Sequence, residues 1–128
     1  MHTGKTILIA EDERPIAAFL EKALNRLGFI TIAAYNGEEA LKESLKHKPD
    51  AIILDILMPK LNGIEVLKKL REENSVCSKT PVIVLSALDK LYQIREAMEA
   101  GATKYLTKPM FTEDIIREVL ECLKTRTL

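Results

Sequence analysis

Two hydrophobic rhythms alternate along the chain. Short apolar runs rich in Ile and Val, at positions 7–10, 29–34, 51–54, 82–85 and 104–106, have the length and β-branched character of strands. Three of them carry no polar alternation, which predicts strands covered on both faces. Between and after these runs, apolar residues recur at helical spacing. The first such segment puts Ile16, Leu20, Ala23, Leu24 and Leu27 on one face, with Gly28 expected just past its end. The second and third open on Asn36 with Glu39 and on Asn62 with Glu65, the spacing of a capping box with asparagine as the cap. The third turns Ile64, Leu67 and Leu70 inward; the fourth turns in Leu91, Ile94, Ala97 and Met98 and stops at Gly101. The fifth opens on Thr112, sets Glu113 and Asp114 at its positive end and buries Ile115, Ile116, Val119, Leu120 and Leu123.

The pattern is strand then helix, five times over. Parallel strands need crossovers, and crossovers are right-handed, so helices must cover both faces of the sheet. No internal repeat or low-complexity linker interrupts the pattern. The expectation is an α/β fold, a doubly wound five-stranded parallel sheet, in one domain spanning residues 1–128. Periodicity does not fix the strand order. If the order is 2-1-3-4-5, a switch point falls between strands one and three, and a ligand site forms at their carboxyl ends.

Composition agrees with one compact domain. The chain has 128 residues, 47% of them apolar, enough for a core. Lys+Arg and Asp+Glu balance at 19 each, so net charge gives no reason to expect nucleic-acid binding by this domain. Cys77 and Cys122 have neither metal-ligand spacing nor a disulfide framework, and two free thiols fit a reducing compartment. No signal-peptide core is present, and no apolar run approaches the roughly 20 residues of a membrane span. A cytoplasmic protein without membrane contact is the expectation. His2 and His47 are too isolated to act as ligands or bases; His47 lies near a helix end, where a cation is favoured.

Chemistry gathers at the carboxyl ends of the strands. Strand one runs into Glu11-Asp12-Glu13, strand three into Asp55 and strand four into Ser86, while Lys108-Pro109 follows strand five. Carboxylates crowded into one crevice are costly unless something neutralises them. Mg²⁺ suits them: it takes one or two carboxylates, keeps several waters and leaves room for a phosphate oxygen. Asp12 and Asp55 are candidate direct ligands, and Glu11 a candidate through water. Asp12 is also a candidate cap for the first helix, and Glu13 is expected to be solvated. Lys108 adds a positive charge and Ser86 a hydrogen-bond donor. These parts make a clamp for a phosphoryl group passing to Asp55, a transfer that depends mostly on positioning and charge.

The stretch from Asp55 through Met58-Pro59 to Gly63 fits D-x-x-M-P-x-x-x-G. Together with Glu11-Asp12, Ser86-Ala87, Gly101-Ala102, Tyr105 and Lys108-Pro109, it makes the chain, from about Lys5 to Leu123, resemble the receiver domain of two-component response regulators, the CheY-like family. The resemblance implies strand order 2-1-3-4-5. It implies that Asp55 takes phosphate from a phosphohistidine on a sensor histidine kinase, without other enzymatic activity. Mg²⁺ would be held by Asp12, Asp55 and the backbone carbonyl of Leu57. Ser86 would move toward the phosphoryl group, Tyr105 would rotate inward, and Lys108 would pair with the phosphoryl oxygens, its bond to Pro109 being cis.

The same resemblance assigns kinase docking to Pro15, Ile16, Phe19, Met110 and Phe111. Phe19 lies off the buried stripe of the first helix, which suits a docking contact. The output face would be helix four, strand five and helix five, with Lys90, Gln93, Lys104 and Tyr105. It would meet a downstream protein target or an output domain, and phosphorylation could drive homodimerisation there. Leu57 and Leu88 stand two residues beyond Asp55 and Ser86, where many family members carry polar residues that align an attacking water. Slow self-dephosphorylation is the expectation.

Two other functions share parts of this pattern. A flavodoxin needs hydroxyls and amides after strand one to cradle phosphate, where this chain has three acids. A phosphohydrolase working through an aspartyl phosphate needs a second acid two residues after its nucleophile, where this chain has Leu57. A further alternative is a receiver cut from a longer regulator, with a linker beginning at Lys124 to Leu128.

Overall fold

A computed structural model describes residues 4–126. His2 and positions 127–128 of the expected linker lie outside the described residues. Five strands and five helices alternate: β1 (Thr6–Ala10), α1 (Arg14–Arg26), β2 (Ile30–Ala34), α2 (Gly37–His47), β3 (Ala51–Leu54), α3 (Gly63–Leu70), β4 (Val82–Ser86), α4 (Leu91–Ala100), β5 (Lys104–Thr107) and α5 (Thr112–Arg126). All strand pairs are parallel, in the order β2-β1-β3-β4-β5. The expected doubly wound sheet and its strand order are thus observed.

Side chains alternate across the sheet, so each strand feeds two cores. Leu8, Ala10, Ile52, Leu54, Val82 and Val84 meet α2, α3 and α4 on one side. Ile7, Ile9, Ile53, Ile83 and Leu85 meet α1 and α5 on the other. The continuous apolar runs of β3 and β4 follow from this double coverage, and both strands are buried throughout. Each fully buried Ile or Leu contributes about 1.5–3 kcal/mol by leaving water.

Helix ends follow local chemistry, and three features of the helices depart from expectation. Asn36 Oδ1 accepts from the Glu39 amide at 2.8 Å, and Asn62 Oδ1 from the Glu65 amide at 3.1 Å, so both asparagines cap as expected. Glu39, however, returns its carboxylate to the amide of Tyr35, one residue before the cap. Gly28 ends α1 with φ +97°, a conformation that favours glycine. Asp12 does not cap α1: Glu13 holds the N-cap position without a side-chain bond. The orphan amides at that end are fewer because Pro15 stands in the first turn and contributes none.

The third departure is in α4. Leu91 is 71% exposed and Met98 is also exposed; of this helix's residues only Ala97 is fully buried. The helix packs on α3 and on the edge strand β5, so its apolar stripe is wider than the surface beneath it. No described helix is long and apolar enough to cross a membrane.

Candidate functional site

Parallel pairing brings the acids together. Ala10 is in register with both Ala34 and Leu54, so the residues that follow β1 and β3 leave the sheet side by side. The Glu11 amide donates to Ala34 O and the Asp55 amide to Ala10 O, each at 3.0 Å, which continues the ladder one step beyond the strands. Glu11 is 2% exposed and Asp55 5%, whereas Asp12 is exposed. One carboxylate oxygen from each of the three lies within 4.8 Å of the others.

Lys108 closes the cluster from the far side. Its Nζ lies 2.6 Å from Glu11 Oε1, 2.9 Å from Asp55 Oδ2 and 3.4 Å from Glu13 Oε2. Its amide donates to Ser86 O at 2.8 Å, and the Lys108-Pro109 bond is cis, as expected. Burial works against the charged ammonium, but hydrogen bonds to Glu11 and Asp55 outweigh it and hold its pKa well above the ordinary value. Burial likewise raises the pKa of Glu11, with partial relief from Lys108 and from the Glu13 amide. Glu13 is largely exposed, as expected, while still reaching Lys108. Glu11 is thus a buried partner of the lysine.

The loop after β3 orients the candidate nucleophile. Asp55 Oδ1 accepts from the Leu57 amide at 3.0 Å, while Oδ2 faces Lys108. Leu57 itself is 52% exposed at the mouth of the site. Gly63 starts α3 against this loop: a Cβ there would sit 2.5 Å from Ile56 Cα and 2.7 Å from Asp55 O. The glycine of the sequence motif is therefore a requirement of space.

Ser86 and Tyr105 are linked through Leu88. Ser86 is fully buried, and its hydroxyl oxygen accepts from the Leu88 amide at 3.3 Å. The half-buried Tyr105 donates its hydroxyl to the Leu88 carbonyl at 2.6 Å. Burial raises the phenol's pKa; a bond to Ser86 lowers it, and the charges of Asp55 and Asp89 push it up further.

The five candidate docking residues lie together. Ile16, Phe19, Leu20, Leu85, Pro109 and Met110 line a cleft of about 250 Å³ that also touches Lys108. Pro15 adjoins it beside Phe19, and Phe111 beside Met110. Phe19 is 69% exposed and Phe111 more so, consistent with surface contacts rather than core. On the α4–β5–α5 side, Lys90 is exposed, Gln93 is half-buried, and Lys104 pairs with Glu118 and Glu121.

The donor set fits a hard cation. Its side-chain atoms are all carboxylate oxygens, and the Asp12 carboxylate makes no hydrogen bond or ion pair with another described residue. The acid cluster is compatible with a Mg²⁺ site.

The sequence profile of the response regulator receiver domain matches residues 7–120. This chain belongs to that family. Among curated proteins, the receiver is 39% identical over 121 residues to the alkaline phosphatase synthesis transcriptional regulatory protein PhoP of Bacillus subtilis, covering 94% of this chain and 49% of that protein. It is 34% identical over 118 residues to response regulator ArlR of Staphylococcus aureus, covering 92% of this chain and 52% of ArlR. The chain thus spans about half the length of these relatives. Among solved structures, the Francisella response regulator 1452 receiver domain superposes with a TM-score of 0.88 at 38% identity, covering 98% of this chain and all of that one. The Vibrio cholerae chemotaxis protein CheY4 superposes with a TM-score of 0.85 at 27% identity, covering 92% of this chain and 98% of CheY4. Both sequence alternatives, the flavodoxin and the phosphohydrolase, give way to this membership.

Proposed function

We propose that Asp55 is the phosphoacceptor of this receiver domain and takes its phosphoryl group from a phosphohistidine on a sensor histidine kinase. One observation carries this: the carboxylates of Glu11, Asp12 and Asp55 converge on one point, with Lys108 bonded to Asp55. Asp12, Asp55 and the backbone carbonyl of Leu57 would hold Mg²⁺, with Glu11 acting through water. Bound there, Mg²⁺ supplies positive charge that lets an anionic donor approach the acids.

In the transfer, an Asp55 carboxylate oxygen forms the new P–O bond as the donor's P–N bond breaks, and the imidazole leaves with the electron pair. Lys108, already in contact with Asp55, holds the charge of the incoming phosphoryl oxygens. Ser86 donates its hydroxyl to one of them. Reaching that oxygen carries the Ser86 side chain away from the Leu88 amide, from which it accepts at rest, and frees the 87–90 segment, and Tyr105 follows by turning inward. Catalysis is confined to the domain's own phosphorylation and dephosphorylation.

We infer further that residues 1–128 form one receiver domain, working in the cytoplasm. Pro15, Ile16, Phe19, Met110 and Phe111 receive the kinase, because their apolar cleft borders Lys108. The α4–β5–α5 face passes the signal to a downstream target, an output domain or a second copy of the chain. Transcriptional regulation, named for the Bacillus relative, is an output that a receiver alone does not supply.

Incubation with a small phosphodonor and Mg²⁺, followed by intact mass, tests the central proposal. The wild type should gain one phosphate and Asp55→Ala none, and omitting Mg²⁺ should abolish the gain. Phosphate on the Asp55→Ala protein at the wild-type level would overturn it.

A further inference from the structure

The geometry points to Gly37 as a positioning residue for the phosphoacceptor loop, holding the segment that carries the Leu57 carbonyl. This inference rests on the proposed Mg²⁺-dependent chemistry at Asp55.

Gly37 is the first residue of α2 and belongs to none of the motifs that mark the site. Its amide donates to Pro59 O at 3.2 Å. A Cβ on it would lie 1.6 Å from the Leu61 carbonyl oxygen, 2.4 Å from that carbonyl carbon and 2.7 Å from Leu61 Cβ. Two of these atoms are backbone, so no side-chain rotation relieves the overlap. The first turn of α2 therefore rests directly on the 59–61 turn, and only glycine permits that approach.

The turn needs such support. Lys60 sits at φ +72°, where an L-residue persists only when its surroundings over-determine it. Inside the turn, the Leu61 amide donates to Pro59 O at 2.9 Å. Below it, the Met58 and Gly63 amides both donate to Ile56 O. Leu57 lies between these anchors, with its amide on Asp55 Oδ1. A shift of the 59–61 turn is thus transmitted to the Leu57 peptide.

The same helix start also reaches the other half of the site. Asn36 caps α2, Glu39 holds the Tyr35 amide, and the preceding Ala34 carbonyl accepts from Glu11. The N-terminus of α2 therefore sets the spacing between the acids after β1 and the loop after β3. An error of about 1 Å at such a centre is enough to lose roughly 100-fold in function.

The test compares Gly37→Ala with Gly101→Ala. Both introduce overlap: Gly101 has φ +115°, and a Cβ there would lie 2.6 Å from Arg71 Cγ, at the far end of α4. Mg²⁺ affinity is read by titration calorimetry, and amide exchange at residues 57–61 is read in metal-free protein. Gly37→Ala should weaken Mg²⁺ binding by roughly 10- to 100-fold, the range for groups that support a metal ligand. It should also speed exchange at 57–61. Gly101→Ala should do neither, even where it lowers Tm equally.

Asn36→Ala, which removes the cap without adding bulk, should weaken Mg²⁺ in the same direction by a smaller factor. It decides the matter if Gly37→Ala does not fold. Wild-type affinity and exchange in a folded Gly37→Ala protein would overturn the proposal, as would equal weakening by Gly101→Ala. Absence of Mg²⁺ binding by the wild type would instead sink the proposed chemistry at Asp55, while the metal-free exchange still reads the coupling.

Discussion

Lys108 has two opposed effects at this site. Its ammonium compensates two buried acids, and it also occupies the oxygens a cation would use. Replacing it by alanine leaves Glu11 and Asp55 facing each other, so metal-free Lys108→Ala should unfold at a lower temperature than wild type. The same protein should bind Mg²⁺ more tightly, because the metal no longer competes with an ammonium; calorimetry reads this directly. The pH sign is fixed as well. The lysine's pKa is raised in the folded state, so its stabilisation is complete below the unfolded value of 10.5 and is lost as pH climbs through the raised one. Metal-free wild type should lose stability in strong alkali faster than Lys108→Ala. Leu57 makes a separate prediction. It stands exposed at the mouth, whereas Leu88 packs against the α2–α4 core, so the two do not guard the site equally. Leu57→Asn should shorten the phosphate lifetime, and Leu88→Asn should do so less; time-resolved intact mass separates them.

Among the elements, α4 is the one whose apolar stripe stays largely in water. Apolar residues at helical spacing reveal a face, but not whether the neighbouring surface is large enough to cover it. Leu91 and Met98 fit the period and stay in water, since α4 sits over an edge strand. Leu91→Ser should therefore change stability by less than about 0.5 kcal/mol, whereas Ile53→Ala, in the central strand, should cost about 2–5 kcal/mol. Denaturant unfolding checks both. The strands were legible because double coverage removes polar alternation, and Asp55, Ser86 and Lys108 were legible because each ends or follows such a run. Asp12 does not cap α1; in sequence, an acid before a helix reads the same whether or not its carboxylate bonds an amide. Gly37 gave no signal at all: its importance comes from a carbonyl 24 positions away, and nothing local announces that contact.

Across the whole molecule, the balanced charge hides a strongly local one. Acids gather at the carboxyl edge of the sheet, and an apolar cleft opens beside them. A ligand that binds only the folded chain stabilises it by mass action, by about 2.7 kcal/mol at 100 times its dissociation constant. Saturating Mg²⁺ should raise the wild-type Tm by several degrees. Asp12→Asn should abolish that rise with little change in metal-free Tm, since the Asp12 side chain is exposed and engages no other described residue. A Tm of Asp12→Asn that still climbed with Mg²⁺ would argue against the cluster as the metal site.

The bond between Lys108 and Glu11 joins positions 97 residues apart. During synthesis, the acids emerge from the ribosome long before their cation does. A nascent chain that ends short of β5 lacks Lys108 and the α5 residues of one core, so the acids have neither their cation nor a folded crevice. On the proposed chemistry, competence to accept a phosphoryl group would arrive only after β5 and the Lys108 that follows it have been made.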